Sequence, residues 1–306
     1  MRALIYDPAA SAGLRLGESP DPVPGPNEAL VALESTSLNW GEVAGLSIRT
    51  KPGDVAGWDG AGVVIQPAAD GSGPAVGSRV VTFGWMGGWA ERRAVPTVDL
   101  AVVPDQVDLG AASAVTVAGV TPLQALRGLG SVAGRRVLIT GASGGVGRLA
   151  VQLAAGAGAE VIASVRSAER AGGLSELGAN EVVVGLQDLS APVYGVIDAV
   201  GGPQLAEVMT HLEDGAVVQW IGNASMEQTG LGAAERGAAT WQLHSYRFKT
   251  PVGADLAYLM KLLAEGRLDP QIVWRGSWER ASEAARALMN RQIAGKVVLD
   301  LVASDQ

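Results

Sequence analysis

The residues best suited to chemistry lie at 135–147, which read Arg-Arg-Val-Leu-Ile-Thr-Gly-Ala-Ser-Gly-Gly-Val-Gly. A short apolar run, Val137 to Ile139, ends in a glycine-dense turn, and an amphipathic stretch from Val146 to Ala155 follows at once. Strand, tight turn and helix in that order form the phosphate-binding corner of a dinucleotide fold. Gly144 lets the backbone approach a pyrophosphate, and Gly147 lets the helix lie close on the strand. The first N–H groups of the helix and the positive end of its dipole then face the anion. Ala142, Ser143, Gly144, Gly145, Val146 and Gly147 are therefore expected at the phosphates. Alanine stands at the first position of the glycine pattern, and a plain strand-to-helix turn is the alternative.

Cofactor choice is read further on. NAD sites place a carboxylate about 20 residues past the glycines, on the ribose hydroxyls. Here the second strand, Val161-Ile162-Ala163-Ser164, runs into Val165-Arg166-Ser167 with no carboxylate at its end; Glu169 is the next one. Guanidinium groups suit a doubly charged 2′-phosphate. Ser164, Arg166, Ser167 and Arg170 are expected there, with NADPH preferred over NADH. Otherwise Arg166 and Arg170 are solvated surface charges.

Composition narrows the remaining chemistry. There is no cysteine, so disulfides, thiolate nucleophiles and cysteine-ligated zinc are ruled out. The two histidines, His211 and His244, leave little material for a metal site or a Ser-His-Asp triad, so no metal is expected. A cofactor must then carry the chemistry. A net charge of −8 disfavours nucleic acid as a partner. No transmembrane helix is expected, and Met1–Asp7 is too short and too soon acidic for a signal peptide, so a cytoplasmic location is expected.

The elements that must position these residues divide the chain of 306 residues in two. Residues 1 to about 118 read as β-rich, with alternation at Leu30–Ser35, a strand at Ala61–Ile65 and frequent Gly/Pro turns. Gly110–Leu129 is Ala- and Leu-rich at helical spacing and bridges the domains. Beyond it, strands at Val137–Thr140, Glu160–Ser164, Glu181–Val184, Val196–Val200 and Ala216–Ile221 alternate with helices at Val146–Gly156, Ala168–Leu177 and Pro203–Leu212. That rhythm predicts an α/β fold with a parallel, doubly wound sheet. A helix at Ala254–Glu265, a strand near Gln271–Val273, a helix at Trp278–Arg291 and a strand at Lys296–Leu301 return to the first domain. The predicted domains are 1–118 with 261–306, and 119–260.

Several spaced motifs give the chain a family likeness. They are Leu38-Asn39-Trp40-Gly41-Glu42, Gly57-Trp58-Asp59-Gly60-Ala61-Gly62-Val63-Val64, Val76-Gly77-Ser78-Arg79-Val80 and Gly87-Gly88-Trp89-Ala90-Glu91. Val117–Pro122, Ile197–Gly202 and Gly295–Leu299 complete the set. In their order and spacing the chain resembles the zinc-free quinone oxidoreductase and enoyl reductase branch of the medium-chain dehydrogenase/reductase superfamily. The resemblance covers nearly the whole chain. It implies a GroES-like β-barrel domain, completed by the C-terminal tail, with an inserted Rossmann domain and NADPH in the cleft between them. It adds Thr121, Gly201, Gly222 and Lys296 to the cofactor residues. It also implies no catalytic zinc, a homodimer, and a hydrophobic conjugated substrate such as a quinone or an α,β-unsaturated carbonyl.

Without a metal, hydride delivery to a conjugated acceptor stays feasible because the negative charge spreads to a distant oxygen, which still needs a donor. By resemblance Asn39 is the first catalytic candidate, unless it only satisfies a turn; Thr121 is the second, unless it only caps a helix. Asp59 is expected to be structural, pairing with an arginine such as Arg79. Trp40, Trp58 and Trp85 are expected to wall a flat substrate, with Trp89 as readily packing the barrel. His244 and Tyr246 lie in a loop that the resemblance puts at the substrate. Some relatives place a Tyr proton donor in the first domain, but Tyr6, Tyr194, Tyr246 and Tyr258 all fall outside the Asn39–Asp59 region, which weighs against enoyl reduction. A nucleotide-binding protein that has lost catalysis is the alternative function.

Overall fold

Period-two burial organises the first stretch of the computed structural model, which describes residues 1–231 and 240–301. β1 (Arg2–Tyr6) and β2 (Leu14–Glu18) pair as an antiparallel ribbon. β3 (Glu28–Leu38) turns Ala29, Val31 and Leu33 inward and keeps alternate residues outward, as a half-buried strand must. Two short helices follow, α1 (Trp40–Ala44) and α2 (Leu46–Arg49). Then come β4 (Asp59–Gln66), β5 (Arg79–Phe83), β6 (Arg92–Pro96) and β7 (Leu100–Val102).

α3 (Leu109–Gly128) is a 20-residue helix with mean hydropathy 1.4 over its most apolar window. By length and composition it could cross a membrane, contrary to the expectation that no such segment exists. Its window is 89% buried in the protein, so the apolar residues serve packing here.

After α3 the period changes. β8 (Arg136–Thr140), α4 (Gly145–Gly156), β9 (Glu160–Val165), β10 (Glu181–Val184), β11 (Val193–Asp198), α5 (Gly202–Val208), β12 (Leu212–Trp220) and β13 (Trp241–Ser245) follow in order. The six strands form one parallel sheet in the order β10-β9-β8-β11-β12-β13. Strand order therefore reverses between β8 and β11, which is the switch point of a doubly wound sheet. The tail supplies α6 (Gly253–Ala264), β14 (Ile272–Ser277), α7 (Ala281–Met289) and β15 (Lys296–Asp300). β15 pairs antiparallel with β3 and completes a seven-stranded sheet, otherwise built from β14, β4, β5, β7 and β6.

Two compact units result: Met1–Val120 with Thr250–Gln306, and Thr121–Lys249. The mixed α/β class and the parallel Rossmann-like sheet are as expected. The boundary is not: α6 belongs to the first unit, where the predicted boundary gave residues to 260 to the other. Its first residue packs on the start of β7 and the turn before it, for a Cβ at Gly253 would meet the Val98 and Leu100 carbonyl oxygens at 2.7 and 3.0 Å.

Two elements also differ from the sequence reading. The helix expected at Ala168–Leu177 is only a single 3-10 turn, Ala168–Arg170. Gly172 and Gly173, the latter at φ +78°, end it, and buried Leu174 anchors the turns that follow. Trp241–Ser245, expected as a loop, is the outermost strand of the parallel sheet.

Candidate functional site

The glycine turn does what its composition suggested. Gly141 adopts φ +61°, and the Ala142 N–H donates to the Ser164 carbonyl at 3.1 Å, tying the turn to β9. Gly144 caps α4, and the Arg148 N–H returns to the Gly144 carbonyl at 2.9 Å. The amides of Gly145, Val146 and Gly147 therefore open the helix with no partner one turn back. A Cβ on Gly147 would lie 2.3 Å from the Gly141 oxygen and 2.6 Å from the Ala142 Cα, so the helix can approach the strand this closely only with glycine. Ser143 is buried within the turn, while Gly144, Gly145 and Val146 are partly open.

The C-terminal ends of β8 and β11 meet beside this turn in sheet order. The Thr140 hydroxyl donates to Asp198 Oδ1 at 2.6 Å and accepts from the Ala199 N–H at 3.1 Å. Asp198 Oδ2 accepts from the Gly201 N–H at 2.8 Å. Burial pushes the Asp198 carboxyl above its ordinary value, against the lowering effect of those donors. Gly201 stands at φ +67° ahead of α5, and the Gly222 carbonyl accepts from the Trp220 indole at 2.6 Å. Asp198 was not singled out from sequence as a site residue. Its signal is an acid at the end of an otherwise apolar strand, Val193–Ile197.

Around the expected 2′-phosphate position the residues separate. Arg166 is exposed, Ser167 and Arg170 are half-buried, and the Ser167 hydroxyl bonds the Glu169 carboxylate and holds it below the usual range. Ser164, expected with them, is fully buried instead. Its hydroxyl donates to the Gly185 carbonyl at 3.0 Å and accepts from Gln204 Nε2 at 3.2 Å, so it braces the sheet.

Three further expected residues of this unit have defined places. Thr121 does not start a helix; it lies inside α3, nearly buried, one residue before Pro122. His244 Nδ1 faces Gln219 Nε2 at 3.0 Å across neighbouring strands. The Tyr246 hydroxyl donates to Gln124 Oε1 at 2.9 Å.

The first unit holds a buried polar cluster. Asn39 Nδ2 donates to Asp59 Oδ2 at 2.8 Å and to Glu42 Oε2 at 3.3 Å, while Asn39 Oδ1 accepts from Lys296 Nζ at 2.7 Å. Lys296 also donates to the Leu38 carbonyl at 3.2 Å, and burial lowers the pKa of its ammonium. Asp59 further accepts from the Ser37 N–H at 2.6 Å and the Ser37 hydroxyl at 2.8 Å. Arg79 is not its partner: that guanidinium donates to the Pro104 and Val107 carbonyls, both at 2.7 Å. The cation that offsets Asp59 and Glu42 alongside Lys296 is Arg93, whose pKa burial lowers to about 10. Alternation along β6 turns Arg93 inward and Arg92 outward, a signal present in the sequence but easily taken for a surface pair. Burial, and then the Asp59 charge, push Glu42 up to about 8.

The aromatic residues of this unit divide. Trp89 is fully buried, and its indole donates to the Ser37 carbonyl at 3.3 Å. Trp58 and Trp85 form an edge-to-face pair with centroids 5.4 Å apart. Trp40 opens α1 and is half-buried.

Glycine turn, helix N-terminus and a switch point flanked by Thr140 and Asp198 define a dinucleotide-binding α/β fold. Comparison with known proteins agrees. Residues 177–299 match the family model of zinc-binding dehydrogenase. Acryloyl-coenzyme A reductase of Sulfurisphaera tokodaii is 27% identical over 98% of this chain and 99% of its own. The quinone oxidoreductase structure from Coxiella burnetii is 25% identical at TM-score 0.85, covering 99% of each chain. Mycobacterial Rv1454c, solved complexed with NADPH, is 24% identical at TM-score 0.87, covering 98% of this chain and 99% of its own. Over nearly its whole length the chain is similar to quinone oxidoreductases and acryloyl-coenzyme A reductases, and it is an oxidoreductase of that type.

Proposed function

We propose that this protein uses NADPH to deliver hydride, without a bound metal, to a quinone or an α,β-unsaturated carbonyl compound. The observation that carries the proposal is the cradle at the start of α4, where Gly147 brings the helix against the β8 turn and three amides are left to receive a pyrophosphate. Ala142 to Gly147 would hold that group, with Gly201 and Gly222 bordering the same end of the sheet. Exposed Arg166, and no carboxylate at the end of β9, favour the 2′-phosphorylated nucleotide. The NADPH in the Rv1454c structure supports the same choice.

When bound, the nucleotide supplies a hydride, two electrons and one proton together. A quinone that accepts it takes one further proton from water and becomes the hydroquinone. Zinc does not fit the residues present. The chain has no cysteine, and both histidines, His211 and His244, belong to the second unit. Proton supply bears on the acceptor. The Tyr194 and Tyr246 hydroxyls are engaged with Leu129 and Gln124, and Tyr6 is in the core. Quinone reduction, which protonates only oxygen, makes the lighter demand on the protein; the acryloyl-coenzyme A reductase relative keeps enoyl acceptors in view.

NADPH consumption with a panel of quinones and enones tests this directly. Turnover is expected with at least one class, faster with NADPH than NADH and indifferent to chelator. Tight NADPH binding with no turnover on any acceptor would establish a nucleotide-binding protein instead. Loss of activity on chelation, restored by zinc, would sink the metal-free step.

A further inference from the structure

Arg49 differs from most surface arginines of its unit. Arg2, Arg15, Arg92, Arg267, Arg275 and Arg280 each pair with a carboxylate. Among the described residues Arg49 has no such partner. Its one hydrogen bond, to the Gly41 carbonyl, is 3.5 Å long, which leaves most of its five donors without a protein acceptor. The guanidinium instead lies 5.3 Å from the centroid of the Trp58 ring. Trp58 meets Trp85 edge to face at 84°, and Trp85 meets Phe83 at 5.1 Å and 80°. Trp85 keeps half its surface, 51%, in solvent, although a tryptophan gains much by burial.

The aromatic pair is fixed from below rather than loosely displayed. The Trp58 N–H donates to Glu42 Oε1 at 2.5 Å, and its carbonyl accepts from the Gly84 N–H at 2.9 Å. Buried Arg93 donates to that same carbonyl at 3.2 Å and to the Met86 carbonyl at 2.9 Å, so one side chain clamps the segments that bear both rings. An apolar surface held rigid beside an unneutralised cation, on a chain of net charge −8, suits a ligand with a flat π face and a negative group at its edge.

We propose that Arg49, Trp58 and Trp85 form the acceptor-reading surface of the first unit, and that they select planar conjugated acceptors carrying an anionic group. Arg93 is a positioning residue for this surface. The inference rests on the reductase reading above and names its substrate class.

Binding is measured without nucleotide, by quenching of tryptophan fluorescence with two quinones of like shape, 1,4-naphthoquinone-2-sulfonate and neutral 2-methyl-1,4-naphthoquinone. Cinnamate, a planar conjugated carboxylate, competes in a third arm. The sulfonate is expected to bind about five- to tenfold more tightly than the neutral quinone, and added salt should erase that margin. R49Q should remove the preference while leaving the neutral quinone and the melting temperature unchanged. R49K should keep part of it, since charge survives without the planar fork. W85L should weaken both quinones alike. Equal affinity of the wild type for the two quinones overturns the proposal, as does an R49Q protein that still prefers the sulfonate. Displacement by cinnamate extends the surface to carboxylates; its absence restricts it to anionic quinones. Steady-state turnover on the same pair separates the two readings: no NADPH oxidation with either quinone defeats the reductase, whereas turnover with unchanged KM for the sulfonate in R49Q defeats only the role of Arg49.

Discussion

Replacing Gly147 by alanine tests whether the helix-to-strand approach makes the nucleotide cradle. The new Cβ would sit 2.3, 2.6 and 2.8 Å from the Gly141 oxygen, the Ala142 Cα and the Ala142 carbonyl carbon, all of them backbone atoms that cannot rotate away. Relief requires α4 to move off the turn by roughly 1 Å. Overpacking of this kind costs about 1–3 kcal/mol, and three backbone contacts argue for the upper half of that range. For a cooperative unit of this size, 2 kcal/mol lowers Tm by about 4–8 °C. The same shift misaims the first amides of α4, and losing one charge-assisted bond to a phosphate weakens binding by about ten- to a hundredfold. Gly144→Ala is the control. Its φ of −78° suits alanine, and its Cβ would find only the Gly141 oxygen, at 3.4 Å. It should therefore melt with the wild type yet bind NADPH more weakly, because the methyl group intrudes where the backbone must meet the pyrophosphate. Thermal denaturation and fluorescence titration with NADPH read both effects. Wild-type Tm and wild-type affinity in Gly147→Ala would refute the reasoning.

Other perturbations reach the remaining groups. Lys296→Met takes from Asn39 Oδ1 and the Leu38 carbonyl their buried donor, and should cost about 1–3 kcal/mol in chemical denaturation; a loss under about 0.5 kcal/mol would show the cluster to be solvated. Glu42 keeps a proton in the folded state up to about pH 8 that the unfolded chain gives up near its ordinary value, so its contribution to stability falls as pH rises between those points. Glu42→Gln should flatten that part of the Tm–pH curve, and an unaltered slope would count against a protonated Glu42. Arg166→Ala should raise KM for NADPH about tenfold with little change for NADH; equal effects on the two cofactors would remove Arg166 from the 2′-phosphate.

Local sequence signals settled much of this protein because they depend on near neighbours. The change from period two to alternating strands and helices marked the parallel sheet, and the spacing of Ala142, Gly144 and Gly147 marked the cradle. Those features follow from backbone geometry and side-chain size within one turn of chain. Where local cues competed, reading failed: Ala168–Leu177 has helical composition, but its paired glycines won, and Trp241–Ser245 became a strand only because β12 offered an edge. Tertiary structure decided the rest. Lys296 reaches Asn39 across 257 residues, Asp59 finds Ser37 and Asn39 rather than Arg79, and Ser164 is buried under Gln204. Desolvation and charge pairing arise only once distant strands close over these groups, so a polar residue's identity could name the chemistry available but not which partner would use it.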